Sequence, residues 1–549
     1  MDSIPRTSDA ILDTLIERVG RHHGTPVKQG EINCYAHPPQ LTYLGLTHLE
    51  YSLARIEARS GALTDNTLAN PRLKDVLLNC QARVGTDTGQ GIGSYQDLVP
   101  FQTRVDSLQH RIDVIVEDAF MNGADSYDGY VSASRRDAAI VVPKQTLVTP
   151  ARYLGEVRGK RMPLDRLRDI TRACSKILSS AGDEDTVYVN VHDETRRLVT
   201  SEGTVIRDTF FGYHVHFEVN TRGGRRDNPQ TFYQSLYFTD ENIGRNQAKI
   251  IGVAKWMLRE IQKRKKCETV ITNGLYPVLF SPEAMATQLH ECFVHFLPSN
   301  EVLEGDSTTF SWESYQKMCT NSYTDVYSNP GLPGRWGSMK FDYEGVPAQR
   351  RVLIKDGRLV GWLADRDGAY HLSRLTRANI LPGDARMAYG REIESPDSEP
   401  RISNLEINYH GPDKARSRKE LFERFVSYLR RNNLKKGIFI PDGSGAESIP
   451  SEGTIAATPN FPYIVTQEGK LIPTRLLTTR GDVHTFLSNI VTMGGTSDYN
   501  PHRCGVSDAD SEYGAIRLVR AGIECPAGIV SNVHVHVQRA EELRQPRLR

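Results

Sequence analysis

No Cys-x-x-Cys pair occurs among the eight cysteines of this chain (34, 80, 174, 267, 292, 319, 504 and 525). Their scatter argues against a disulfide framework and leaves reduced thiols as the expectation. An excess of charge is missing too. Lys+Arg number 68 and Asp+Glu 67, so nothing electrostatic points to nucleic acid or an anionic membrane as a partner. No long uninterrupted apolar run occurs, so no segment reads as a membrane-spanning helix. The first residues, MDSIPRTSDAILDTLIERVG, lack the basic region and apolar stretch of a secretory signal. A cytoplasmic location is therefore expected. Internal repeats are also absent, which excludes a solenoid.

What is present is ordinary for a water-soluble globular protein: 38% apolar and 25% charged residues over 549 positions, long enough for two large cores. Residues 10–19 carry apolar side chains at helical spacing, whereas 187–191 and 213–219 alternate as half-buried strands do. His214 and His216 share a face of the second strand, which is read as lining a polar groove or the surface. Residues 240–266 form the clearest helix, ending in KRKK at the negative end of its dipole. Beyond it the texture changes to short β-rich runs at 276–280, 350–364, 461–473 and 533–538, with KDG and QEG as hairpin turns. Only 282–295 and 418–430 read as helices there. The expected class is α+β: an N-terminal α/β domain over 1–266, then a mostly antiparallel β-rich domain over 267–549 carrying one catalytic helix.

That helix starts with Ser281 as N-cap, Pro282 at the first position and Glu283 in the first turn. It contains His290-Glu291-Cys292-Phe293-Val294-His295, a variant of the zinc-peptidase pattern His-Glu-x-x-His. At about 100° per residue, positions i and i+5 lie roughly 140° apart. One ion can hold both imidazoles only if the helix bulges or ends near His295; Pro298 indicates that it stops.

The hexapeptide, the strand-to-helix entry YPVLFSPEA (276–284), LEGD (303–306), SEGT (201–204), the long segment at 329–363 and PRISNL (400–405) together resemble the TldD/PmbA family of metallopeptidases, from about residue 190 onward, with fainter similarity at PPQLTYL (38–44). The resemblance implies His290 and His295 as metal ligands and Glu291 as general base. The family's third ligand, a Cys in a Cys-Gly pair, maps onto Cys504-Gly505, with Cys525 the rival; a thiolate suits zinc and leaves a position for water. One Zn2+ per metal-bearing subunit is implied.

Glu304 and Asp306 are candidates to orient a histidine. Arg386 and Arg401 read as salt-bridge formers, and His502 as a candidate transition-state donor. His534 and His536 read as structural. The family build implies a homodimer, or a heterodimer with a metal-free paralogue, enclosing a cavity for short or unfolded peptides. Two alternatives stay open: a biosynthetic metalloenzyme cleaving an amide or related bond of a small-molecule natural product, and a non-catalytic binding subunit.

Overall fold

The alternation at 187–191 and 213–219 belongs to much longer strands. The computed structural model of the chain describes residues 7–22, 40–64, 72–86, 89–99, 104–136, 144–156, 163–181, 184–221, 230–239, 243–267, 271–307, 309–387, 398–443, 445–506 and 517–537. Residues 1–6, 38–39, 240–242 and 538, and Cys34, lie outside these. A first sheet contains Gln40–Arg59 (β1), Arg72–Thr86 (β2), Gly89–Val99 (β3), Glu184–Thr200 (β4), Val205–Thr221 (β5) and Gln230–Phe238 (β6). Its order is β3-β2-β1-β4-β5, with β6 also paired to β5. It is antiparallel apart from Arg152–Leu154, which runs parallel to β5.

Among the described residues four helices cover this sheet: Ala10–His22 (α1), Val105–Arg136 (α2), Leu164–Leu178 (α3) and Gln247–Lys265 (α4). The stripe expected at 240–266 is the one α4 buries: Ile250, Ala254, Met257 and Ile261. Helix α2, not among the expected elements, buries an apolar side made of Leu108, Ile112, Ile115, Val116 and Ala119. Its backbone lies almost against β3. A Cβ on Gly93 would come within 2.1 Å of the Ala119 carbonyl oxygen, so that contact requires glycine.

The second sheet has 13 strands, all from Gly274 onward. Gly274–Phe280 (β7) sits inside it, antiparallel to Arg517–Val537 (β9) and parallel to Lys436–Ile440. Ile490–Val506 (β8) pairs with β9 as a long antiparallel ribbon. Both expected hairpins form. Asp356 and Gly357 have φ of 48° and 74°, the left-handed pair that a tight two-residue turn uses, and Gly469 has φ 80°.

Five helices lie in this half among the described residues: Pro282–Phe293 (α5), Ser299–Glu304 (α6), Arg366–Thr376 (α7), Arg418–Arg431 (α8) and Val483–Ser488 (α9). Three of them correct the expectation of two. At 6 residues each, α6 and α9 are too short to show a period. The third, α7, carries Gly368, a poor helix former, because its backbone packs against Ser299: a Cβ there would lie 1.9 Å from the Ser299 hydroxyl. Between the two sheets, the fully buried Arg366 guanidinium forks onto Glu202 with two hydrogen bonds of 2.7 Å.

Candidate metal centre

Strand β7 passes directly into α5. The Ser281 hydroxyl accepts from the Ala284 N–H at 3.1 Å and donates to the Pro441 carbonyl at 2.9 Å, which ties the helix start to the strand beside it. The helix then ends at Phe293, two residues before His295, with Val294 as its C-cap. This ending, rather than a bulge, removes the angular conflict. With the chain turning at 294–296, the His290 and His295 rings come to 5.1 Å between centroids, inclined at 71°.

The third group arrives from β8. Ligand atoms of His290, His295 and Cys504 all lie within 4.8 Å of one another, and Cys504 Sγ is 3.9 Å from His295 Nε2. Cys525 stands elsewhere on the ribbon: it pairs with Asp498, and its thiol donates to the Pro282 carbonyl at 3.2 Å. Cys292 is fully buried in the core. The donor set brought together is two imidazoles and one thiol, which suits zinc and leaves room for a fourth ligand.

Burial decides the protonation of these groups. Desolvation, with the His502 and His295 rings adding to it, holds His290 far below its ordinary pKa. Desolvation, then the Arg401 charge, takes His295 down to about 3. Both rings are therefore neutral, the form that ligates. The Cys504 thiol is pushed up to about 12 by the same burial, so its proton must leave when a cation arrives.

Glu291 is buried, with Oε2 at 3.8 Å from His295 Nε2. Burial raises its carboxyl to about 8, opposed by a hydrogen bond from Ser448. His290 and Glu291 lie on the wall of a cleft of about 940 Å³, whose other side is formed by β6 and α4, including Tyr233, Tyr237 and Trp256.

His502 shares a strand face with Cys504. Its Nε2 is 2.7 Å from His290 Nδ1, and its Nδ1 is 3.1 Å from the Asn500 carbonyl oxygen. Because a carbonyl only accepts, Nδ1 of His502 carries the proton and Nε2 is left to accept one from His290.

The other candidates sort by position. Glu304 and Asp306 are exposed, and no hydrogen bond joins either to a histidine among the described residues. Arg401 forms ion pairs with Glu399 at 2.8 Å and Glu301 at 3.6 Å. Arg386 is not in an ion pair among the described residues; it donates to the carbonyls of Gly337 and Arg520. His214 is buried, stacks on Tyr237 with centroids 4.5 Å apart and bonds the Ser235 hydroxyl at 3.1 Å. His534 and His536 lie exposed on β9. Arg503, which lies between His502 and Cys504 in sequence, also lines the cleft and is not among the residues expected from the sequence. Its place in an alternating strand was the available signal.

Comparison with known proteins follows the same lines. Residues 273–536 match the family model for the PmbA/TldA metallopeptidase C-terminal domain. The metalloprotease slr0863 of Synechocystis is 23% identical over 429 residues, covering 76% of this chain and 80% of that protein. A metalloprotease of Archaeoglobus fulgidus is 26% identical over 42% of this chain and 48% of its own length. A metalloprotease TldD homolog of Haemophilus influenzae is 24% identical over 36% of each chain. Among solved structures, TldE from Thermococcus kodakarensis superposes with TM-score 0.59 at 14% identity, over 96% of this chain and all of that one. A putative modulator of a DNA gyrase from Thermotoga maritima gives TM-score 0.60 at 16% identity, over 90% of this chain and 96% of that chain. These likenesses agree with the α+β fold described above.

Proposed function

Because this chain belongs to the TldD/PmbA family, we propose that it is a zinc-dependent peptidase hydrolysing amide bonds in short or unfolded peptides. One observation carries this reading: two neutral imidazoles and a thiol converge within 4.8 Å, with a carboxyl group beside them, at the wall of a large cleft. His290, His295 and Cys504 would hold the ion. When bound, it supplies Lewis-acid polarisation of the carbonyl and activation of water.

The chain's own groups do the rest. Glu291 accepts a proton at its carboxylate from the attacking water and returns it to the leaving amine nitrogen. Burial alone sets its carboxyl too high for a base at neutral pH, and a cation beside it acts in the opposite direction. His502, by accepting the Nδ1 proton of His290, fixes that ring with Nε2 free for the ion. We place the active form in a pair, with a second copy or a metal-free paralogue. A cytoplasmic setting is supported by the seven described cysteines, all free thiols. Among the described residues no helix is long and apolar enough to cross a membrane.

Elemental analysis of the purified chain, alone and as Glu291→Gln, tests the reading. We expect about one zinc in each and a loss of about 100- to 10,000-fold in peptide hydrolysis for the variant. A metal-free wild type, or a variant that cleaves at the wild-type rate, would reject it.

A further inference from the structure

The strand that carries His502 and Cys504 turns Arg503 to its opposite face, toward the first sheet. Arg503 still lines the cleft. Its guanidinium donates to His192 Nε2 at 2.6 Å, and His192 Nδ1 lies 3.2 Å from the Tyr51 hydroxyl. Desolvation first, then the charges of Arg503 and Arg520, hold His192 well below its ordinary pKa. That contact therefore orients the guanidinium without neutralising it.

Directly across the β8–β9 ladder from Arg503 stands Arg520. Like charges opposite one another destabilise a sheet. Arg520 has its counter-charge in Glu194 at 3.3 Å, and its guanidinium stacks on Phe210 at 3.3 Å from the ring centroid. Arg503 forms no ion pair among the described residues. Other charged groups on the cleft wall are engaged: Arg335 with Glu524 at 2.9 Å, Asp498 with Arg418, and Glu283 with Gln234 at 2.6 Å. Lys249, on α4, lies over the Phe238 ring at 5.7 Å and faces the Glu283 carboxyl.

We propose that Arg503 anchors a carboxylate of the bound peptide. The planar fork of a guanidinium matches a carboxylate with two parallel N–H bonds, and a ligand anion would supply the charge that the Arg503–Arg520 pairing lacks. This rests on the peptidase reading above and names one feature of its substrates: an anionic group a few residues from the bond that is cut.

Binding tests it without turnover. The zinc-loaded full chain carrying Glu291→Gln would be titrated with an unstructured hexapeptide of alanine and leucine bearing a free C-terminal carboxylate, and with its C-terminal amide. A second pair, both amidated, would differ by one internal glutamate against glutamine. We expect at least one pair to favour the carboxylate about tenfold or more. Adding Arg503→Gln should bring that ratio near one, and Arg503→Lys, which keeps charge but not the fork, should retain part of it. Circular dichroism and zinc content would establish that both variants are folded and loaded. Equal binding within both pairs, or a preference that survives Arg503→Gln, overturns the anchor. Peptides cleaved by wild type without such a preference would sink the anchor alone, whereas a chain that neither binds nor cleaves any of them sinks the peptidase reading with it.

Discussion

At the scale of single residues, the two candidate sulfurs differ in where the ribbon places them. Cys504 faces His295, and Cys525 faces a backbone carbonyl at the start of α5. Cys504→Ala should therefore lose most of its zinc and Cys525→Ala should keep it, measured by elemental analysis after dialysis; the reverse pattern would make Cys525 the ligand. His502 supports His290 from behind. We expect His502→Ala to weaken zinc affinity about 10- to 100-fold in a chelator competition, and His502→Gln, which keeps an acceptor, to recover part of the loss. Unchanged affinity in the alanine variant would remove that role. Of these groups, His290, Glu291 and His295 were legible because they sit close together in sequence. The His502–His290 contact spans 212 positions, and no local pattern announces it.

At the scale of elements, α5 does two jobs. Its end aims the histidines, and its first turn puts Glu283 on the cleft wall. Burial raises the Glu283 carboxyl to about 7, despite hydrogen bonds from Gln234 and the Gly443 N–H, with Asp442 adding to the rise. The unfolded chain ionises this group near its ordinary 4.5, so between that pH and 7 the folded state holds a proton that the unfolded state has released. Stability falls as pH rises through this window, and the penalty is fully present above it. Glu283→Gln should thus melt higher than wild type at pH 8, with the difference vanishing near pH 4; a constant difference across that range would show that ionisation is not the cause. Helix α5 and the KDG and QEG hairpins were readable because capping residues and turn glycines act locally. By contrast, α2, α6, α7 and α9 escaped: the two short helices have no visible period, and α7 carries a glycine that only its packing against Ser299 explains.

For the whole molecule, the centre depends on how its two sheets are held together. Arg366 is fully buried against Glu202, the hairpin residue between β4 and β5, whose side chain is 22% exposed. Removing the carboxylate strands a buried charge, so Glu202→Ala should cost roughly 3 kcal/mol in chemical denaturation at neutral pH; a variant as stable as wild type would show that the pair is dispensable. The cleft itself is a product of this arrangement. One wall comes from β6 and α4, the other from α5 and β8, and neither half alone presents both the two histidines and the pair Tyr233 and Tyr237. The sequence by itself determined the α+β class, the long helix α4, the start of α5 and the closely spaced His290, Glu291 and His295 within one hexapeptide, since each follows from local spacing, capping or turn chemistry. Only tertiary structure decided which cysteine meets the histidines, that His502 backs His290, and that Arg503 faces the cleft with no ion pair among the described residues. Those outcomes depend on the register of a β ribbon against a helix, and pairing across such distances leaves no periodic trace along the chain.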